Sequence, residues 1–551
     1  MKKLFALLLA MAMVCTIFAG CVNEVDPGTQ GTQGTQGTQG TEDTDPTAPE
    51  SFKNTDIYPL EGEHKVSIGV SLEKAEESYL FKLMADATGV DPTYRYITNE
   101  QAPLLFVDQE SMPDMLFTSG GSFGLTRDRI HGYGESGALI NFMDYLDKMP
   151  NLAQAYADHP DLFDGVMNAD GTVYNLPYYV FTLTGVNNLF YYREDHMKDA
   201  GWEKAPTTLD EFTQYLRDLK AKYGATDPQY IPFTVYQASH LGYNGQVSRY
   251  LFPTFGDLME AGITADSTGT KIVAGFATEQ YKRYVTYLHD LMKEGLLDPD
   301  AFSAKSSLMK AFMNEGHTSV NTLMVYMPKS SFASGNLDII LPAPPTSEWN
   351  SDTKWALPQL SRMWGAMISA NTKDLDACLA YMDAFFATES NPLNEEGTIF
   401  NLSFWLGEKG VDWDWKVQGE SYIKYEKPAG WETENGYSGT PYIGNFPALN
   451  YDHNDEVGFK ASEVKNNLMP ISVEIIRAAA LPLTADEQEE YTDAWTDISK
   501  YLSQMNAAFI TGDADIEKEW DTYLANLEAM GLSDVLEIYQ NALDRYNARE
   551  K

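Results

Sequence analysis

Cysteine is scarce in this chain, with only Cys15, Cys21 and Cys378 among 551 residues. A disulfide framework and a metal centre built on clustered cysteines are therefore excluded. Basic residues are few as well: 39 Lys and Arg stand against 80 Asp and Glu, for a formal charge of −41. So acidic a chain is repelled by nucleic acid and by anionic lipid headgroups, and no nucleic-acid partner is expected. The eight histidines show no HExxH or paired spacing, which argues against zinc. Beyond the first twenty residues no apolar run approaches the roughly 20 residues that cross a bilayer, so no transmembrane helix is expected.

What is present begins with an amino-terminal pattern. Lys2 and Lys3 precede an apolar stretch from Leu4 to Phe18, and the small pair Ala19-Gly20 stands directly before Cys21. These are the charged region, apolar region and processing site of a signal peptide over residues 1–20. Phe18-Ala19-Gly20-Cys21 resembles a lipobox, whose cysteine sulfur receives a diacylglyceryl group before cleavage. Cys21 is therefore the expected lipid anchor, with palmitate-type chains as the only membrane contact. The expected location is the extracytoplasmic face of the cell membrane.

Losing Lys2 and Lys3 with the signal takes the formal charge to −43. Gly28-Thr29-Gln30 then repeats through Gly40-Thr41, and an acidic, Pro-containing stretch runs from Glu42 to Glu50. Such a composition cannot bury a core. Residues 21–60 read as a lipidated tether with an r.m.s. span of roughly 30–35 Å. Only Cys378 then remains in the folded part. It lies among Leu375, Leu379, Met382, Phe385 and Phe386 at helical spacing, which predicts a buried helix face.

The folded part opens with the alternating strand Lys65 to Val70 and continues with helical spacing from Ala75 to Thr88, ended by Gly89. Strand and helix in succession predict an α/β unit. Pro113-Asp114-Met115-Leu116-Phe117 reads as a short buried strand, and the loop after it, Thr118 to Ser122, occupies the carboxyl end where open α/β sheets hold ligands. Asp170 to Tyr174 predicts a turn feeding a strand, and a second strand is predicted from Leu189 to Tyr192. Thr208 and Glu211 form a capping box ahead of Phe212, Leu216, Leu219 and Tyr223. Further helices are predicted over Tyr281 to Met292, over Ile516 to Leu527, and from Val535 to Tyr546. Length and the supply of 33 Tyr and 10 Trp suit more than one domain-sized core.

Several stretches, in this order, resemble the family 1 extracellular solute-binding proteins, the capture subunits of ATP-driven importers, mostly for sugars. They are Pro113-Asp114, Asp170 to Pro177, Leu189 to Asp195, Ala200-Gly201-Trp202 with Ala205 to Phe212, Ala311 to Val320, Trp364 to Ala370, and the tail from Glu519 to Tyr546. The resemblance implies an α/β fold of two hinge-linked lobes with an interlobe cleft, the type II periplasmic-binding-protein-like architecture. It places the first lobe at 61–178 and 364–400 and the second at 179–363 and 401–551. Crossings between the lobes are expected near Pro177 to Phe181, near Pro358 to Trp364, and somewhere after Pro392.

A neutral sugar presents hydroxyls to hydrogen-bond and C–H faces that stack on flat rings, so its site combines Trp and Tyr with polar side chains. Carried over by position, the resemblance assigns ligand contacts to Thr118, Ser119 and Gly120, to Tyr178 and Tyr179, and to Tyr236, Gln237, Tyr243 and Asn244. It adds Tyr326, Arg362 and Trp364. Trp405, with Trp413 and Trp415, is a candidate for an added stacking wall, against packing of its own segment. Trp202, Trp495 and Trp520 read as core. Asp452 to Glu456 and Asn168 to Gly171 lack the twelve-residue spacing of a calcium loop, and no metal or cofactor is expected. The expected function is non-enzymatic capture of an oligosaccharide by a monomer that delivers it to the permease of an ABC transporter. A surface glycan-active enzyme and a glycan sensor or adhesion lipoprotein are the alternatives.

Overall fold

A computed structural model describes residues 52–117, 125–180, 189–323, 339–357, 361–362, 365–417, 421–425, 427–428, 444–446, 450–451 and 464–549. The central strand His64–Val70 buries Val66, Ile68 and Val70, as the alternation predicts. It pairs in parallel with Val90–Tyr96 on one side and with Met115–Phe117 on the other. All three residues of Met115–Phe117 are buried, which is why that strand is apolar without alternation. Ala366–Ile368 closes the sheet antiparallel to it.

The connecting helix starts later than the sequence predicts. Ala75–Glu77 form a 3-10 turn, and the helix proper runs Tyr79–Thr88. Gly89 ends it with φ 75°, a left-handed cap that other residues adopt at a cost.

The Pro113-Asp114 pair has a local reason. Asp114 accepts the Ser67 N–H (2.7 Å), the Ser67 hydroxyl (2.6 Å) and the Thr372 hydroxyl (2.8 Å). Burial opposes its charge, yet these donors hold the carboxyl below its ordinary value. The strand predicted after the Asp170-Gly171 turn does not form. Val173 and Leu176 make single backbone bonds, from Phe142 to Val173 and from Leu176 to Ala366, and no ladder.

A second sheet has Leu189–Arg193 at its centre, antiparallel to Val320–Leu323 and to Ile339–Ile340. Phe233 bridges to Val320 in parallel. The helix Leu209–Tyr223 begins in the predicted capping box of Thr208 and Glu211, and Glu279–Lys293 lies beside it, with the Tyr287 hydroxyl 2.8 Å from Thr213 Oγ1. Three carboxy-terminal helices, Ala485–Thr511, Ile516–Ala529 and Leu532–Asn547, complete this core with Leu502, Phe509, Trp520, Tyr523 and Val535.

The buried apolar residues form two large separate clusters. One draws on residues between Tyr58 and Tyr179 and between Ala366 and Phe404. The other draws on residues between Phe190 and Val320 and between Ala478 and Leu543. The chain passes between them three times, and each passage contributes one strand to a small sheet of its own. In it Tyr178–Val180 lies between Ser361–Arg362, antiparallel, and Gly444–Phe446, parallel.

Residues 401–417 and 421–425 pack on the first lobe, whereas the sequence places them in the second. Phe404 enters the first core at Phe385, with ring centroids 5.1 Å apart. Tyr79 at the start of the first-lobe helix donates its hydroxyl to Asp412 at 2.7 Å. The hairpin Trp413–Val417 with Ser421–Lys424 packs with Phe400, Leu402 and Leu406 into a small cluster on that lobe. Among the described residues no helix is long and apolar enough to cross a membrane.

Candidate functional site

Parallel pairing in the first lobe brings three strand ends to one edge, with Val70 opposite both Tyr96 and Phe117. In the second lobe Tyr236 follows the Phe233 bridge, and its N–H donates to Thr322 Oγ1 at 3.1 Å. The carboxyl ends of both sheets are where α/β folds carry their binding loops. Between the lobes runs a groove of about 370 Å³, with Arg127, Asp128 and His131 on one wall and Thr484, Gln488 and Asp493 on the other.

The predicted contacts divide into three groups. Thr118, Ser119, Gly120, Tyr326 and Trp364 lie outside the described residues. So does the remainder of the loop, in which Gly120-Gly121-Ser122-Phe123-Gly124 has the GxSxG spacing of a hydrolase nucleophile turn. Tyr178 and Arg362 are direct partners in the crossing sheet. The third group comprises the side chains that can be followed.

Tyr179 is not available to ligand. It is 3% exposed in the first core, and its hydroxyl lies 3.0 Å from both carboxylate oxygens of Asp161. Burial, with the Asp161 charge, drives its pKa upward, so it is a neutral donor that pins the crossing strand. Adjacent residues of a strand face opposite ways, and the resemblance does not distinguish the two tyrosines.

Tyr236, Gln237, Tyr243 and Asn244 share one segment of the second lobe. Tyr236 is buried, Gln237 is half-buried and Asn244 is exposed. Tyr243 stands edge-on to Phe276 at 5.7 Å and packs on the second core. Behind them is a pair that the sequence reading did not single out. Buried His240 places Nδ1 2.6 Å from Thr322 Oγ1, the same oxygen that receives the Tyr236 N–H. Burial lowers the His240 pKa to about 4, so the ring is neutral at neutral pH. A histidine beside a strand end has no sequence signature that separates this role from ordinary packing.

The proposed aromatic wall is mostly packing. Trp413 is fully buried and donates Nε1–H to the Gly407 carbonyl at 2.9 Å. Trp415 donates to Glu389 at 3.1 and 3.0 Å. Trp405 packs, partly buried, on the same cluster. Trp202, Trp495 and Trp520 all pack on the second core.

Among the described residues no group of three or more His, Cys, Asp or Glu is placed to hold a metal ion. Asp170, in the Asn168 to Gly171 turn, accepts the Thr172 N–H (3.0 Å) and hydroxyl (2.7 Å) and lies 3.2 Å from His131. Its oxygens are used within the turn and by the imidazole.

Two α/β cores, three paired crossing strands and a polar groove between the lobes define the architecture of a two-lobed solute-binding protein. The model of the bacterial extracellular solute-binding protein family matches residues 123–393. A curated relative, the fructooligosaccharide ABC transporter substrate-binding protein FusA of Streptococcus pneumoniae, is 22% identical over 507 residues, 87% of this chain and 89% of the relative. Among solved structures, an HMO binding, ABC-transporter associated solute-binding protein from Bifidobacterium longum infantis aligns at TM-score 0.70 and 18% identity, covering 89% of this chain and all of that one. FusA in complex with kestose aligns at TM-score 0.65 and 19% identity, over 88% and 100% of the two chains. Over residues 123–393 the chain is similar to the extracellular solute-binding proteins.

Proposed function

We propose that this protein captures an oligosaccharide between its lobes and hands it to the permease of an ABC transporter, acting as a monomer held to the membrane by lipid on Cys21. The observation that carries the reading is the correspondence over nearly nine-tenths of the chain with oligosaccharide-binding relatives, combined with three crossing strands paired in one small sheet about which two lobes can hinge. Ligand contacts are proposed at Thr118, Ser119, Gly120, Tyr178, Gln237, Asn244, Tyr326, Arg362 and Trp364, and the packed side chains of Tyr179, Tyr236, Tyr243 and Trp405 are left out of the set.

The test is a thermal-shift panel of kestose, HMO and N-glycan-derived oligosaccharides, with monosaccharides and a hexapeptide as controls. A ligand at one hundred times its Kd stabilises the fold by about 2.7 kcal/mol, a readily measured shift. Binding of one oligosaccharide class, and severe weakening by Trp364→Ala in calorimetry, is the expected result. A panel in which only the peptide shifts the midpoint overturns the reading.

A further inference from the structure

We propose that Arg127 is a latch between the lobes, a positioning residue that holds their relative orientation without touching ligand. The inference rests on the capture reading, since only a two-lobed binder has use for such a contact.

Arg127 opens the helix Arg127–Glu135, whose start is capped by the Thr126 side chain and whose Ile130 is buried in the first lobe. The base of the side chain is therefore fixed to that lobe. Its two terminal nitrogens donate across the interface, one to the Leu481 carbonyl at 2.7 Å and the other to the Ala480 carbonyl at 3.3 Å.

The acceptors are equally rigid. They terminate the 3-10 turn Ala478–Ala480, with Ala478 and Leu481 buried in the second core. Arg477 clamps the turn from behind by donating to Glu260 at 3.0 and 2.7 Å and to the Leu357 carbonyl at 2.6 Å. Two stiff ends joined through one guanidinium form a contact that exists in one lobe arrangement and is lost in others, the differential interaction a two-state equilibrium requires.

Three further features support the assignment. A forked guanidinium can serve two carbonyls at once, which an ammonium on a flexible stem does less well. Burial works against the charge of Arg127, and the neighbouring carboxylate of Asp128 offsets part of that cost. A second, weaker tie runs parallel to it: Tyr546 of the carboxy-terminal helix donates its hydroxyl to Asp164 of the first lobe at 2.7 Å.

Distance measurement between spin labels tests the latch without any ligand. Leu104 and Leu308 are exposed on different lobes, and Cys378 is buried. In the full chain with Cys15 and Cys21 replaced by Ser, labels at Leu104→Cys and Leu308→Cys therefore report the lobe separation alone. The parent is expected to show one dominant distance. Arg127→Ala is expected to populate a second distance, shifting the ratio about tenfold, which corresponds to about 1.4 kcal/mol. Arg127→Lys should fall between the two, and Tyr546→Phe should shift the ratio less but in the same direction. If Arg127→Ala does not fold, Arg127→Lys decides. A distribution that superimposes on the parent's overturns the latch. The oligosaccharide panel is independent: a protein that shifts its lobes in Arg127→Ala yet binds no sugar keeps the latch and loses the capture reading.

Discussion

Gly365 stands where the second crossing segment rejoins the first lobe, between the strands Ser361–Arg362 and Ala366–Ile368. A Cβ built there would lie 1.6 Å from the carbonyl oxygen of Leu176 and 2.7 Å from its carbonyl carbon. Carbon and carbonyl oxygen approach no closer than about 3.3 Å in ordinary contacts, so Gly365→Ala is short of space by more than 1 Å. The obstacle is backbone, which no side-chain rotation relieves. The same two segments are joined by the Leu176 N–H to Ala366 carbonyl bond at 2.8 Å, and separating them to admit a methyl group lengthens or breaks it. Overpacking of this kind costs about 1–3 kcal/mol and a lost backbone bond about 1, giving about 2–4 kcal/mol. Gly132 provides the control: it lies within a first-lobe helix, nothing stands within 4 Å of its Cβ position, and Ala there should be neutral or stabilise by up to about 1 kcal/mol. Urea unfolding of both variants, followed by intrinsic fluorescence and by hydrogen exchange across Ala366–Ile368, measures the difference. If Gly365→Ala is as stable as Gly132→Ala, the close approach of the two crossings does not constrain this protein and the reasoning fails.

Two further outcomes follow from the second lobe and from the hairpin on the first. Burial holds both His196 and His240 near pKa 4, below their ordinary 6.5. The unfolded chain therefore takes up protons that the fold refuses as pH falls from about 6.5 to about 4. Their contribution is whole above that window and is lost through it, up to about 3 kcal/mol per histidine. Thermal midpoints from pH 4 to 8 should slope accordingly, and His196→Gln should flatten the slope; an unchanged slope in the variant refutes the assignment. Trp413, fully buried among Phe400, Leu406 and Tyr422, should cost about 3–5 kcal/mol on truncation to Ala. The loss should stay local: exchange should accelerate over residues 400–425 and remain unchanged in His64–Val70, whereas uniform acceleration would show that the hairpin is not a separate packing unit.

How far the sequence reveals this protein depends on the range over which each signal acts. Local chemistry is legible. Thr208 and Glu211 cap their helix as the spacing predicts, and Cys378 is buried on a helix through its apolar neighbours. An equally good box at Thr484 and Glu487 shows that the same signal can also be overlooked. Long-range pairing is not legible. Gly444–Phe446 joins the crossing sheet through three residues, too few for any periodicity to stand out. Residues 401–417 follow the first lobe because of Phe404 and the Tyr79 to Asp412 bond, contacts that span more than 300 positions in the latter case.

The site divides along the same line. Stacking residues can be nominated by type, but burial decides between them, and it removes Tyr179 and Trp413. Arg127 could not have been found that way at all, because its partners are main-chain carbonyls, which every residue possesses. A contact between a side chain and backbone leaves its mark on only one partner. A search for paired charges across the lobes would miss it, and substitution of Ala480 or Leu481 would leave both acceptors in place. The latch therefore has to be tested from the arginine side, where the fork and the charge can be removed one at a time by Arg127→Lys and Arg127→Ala.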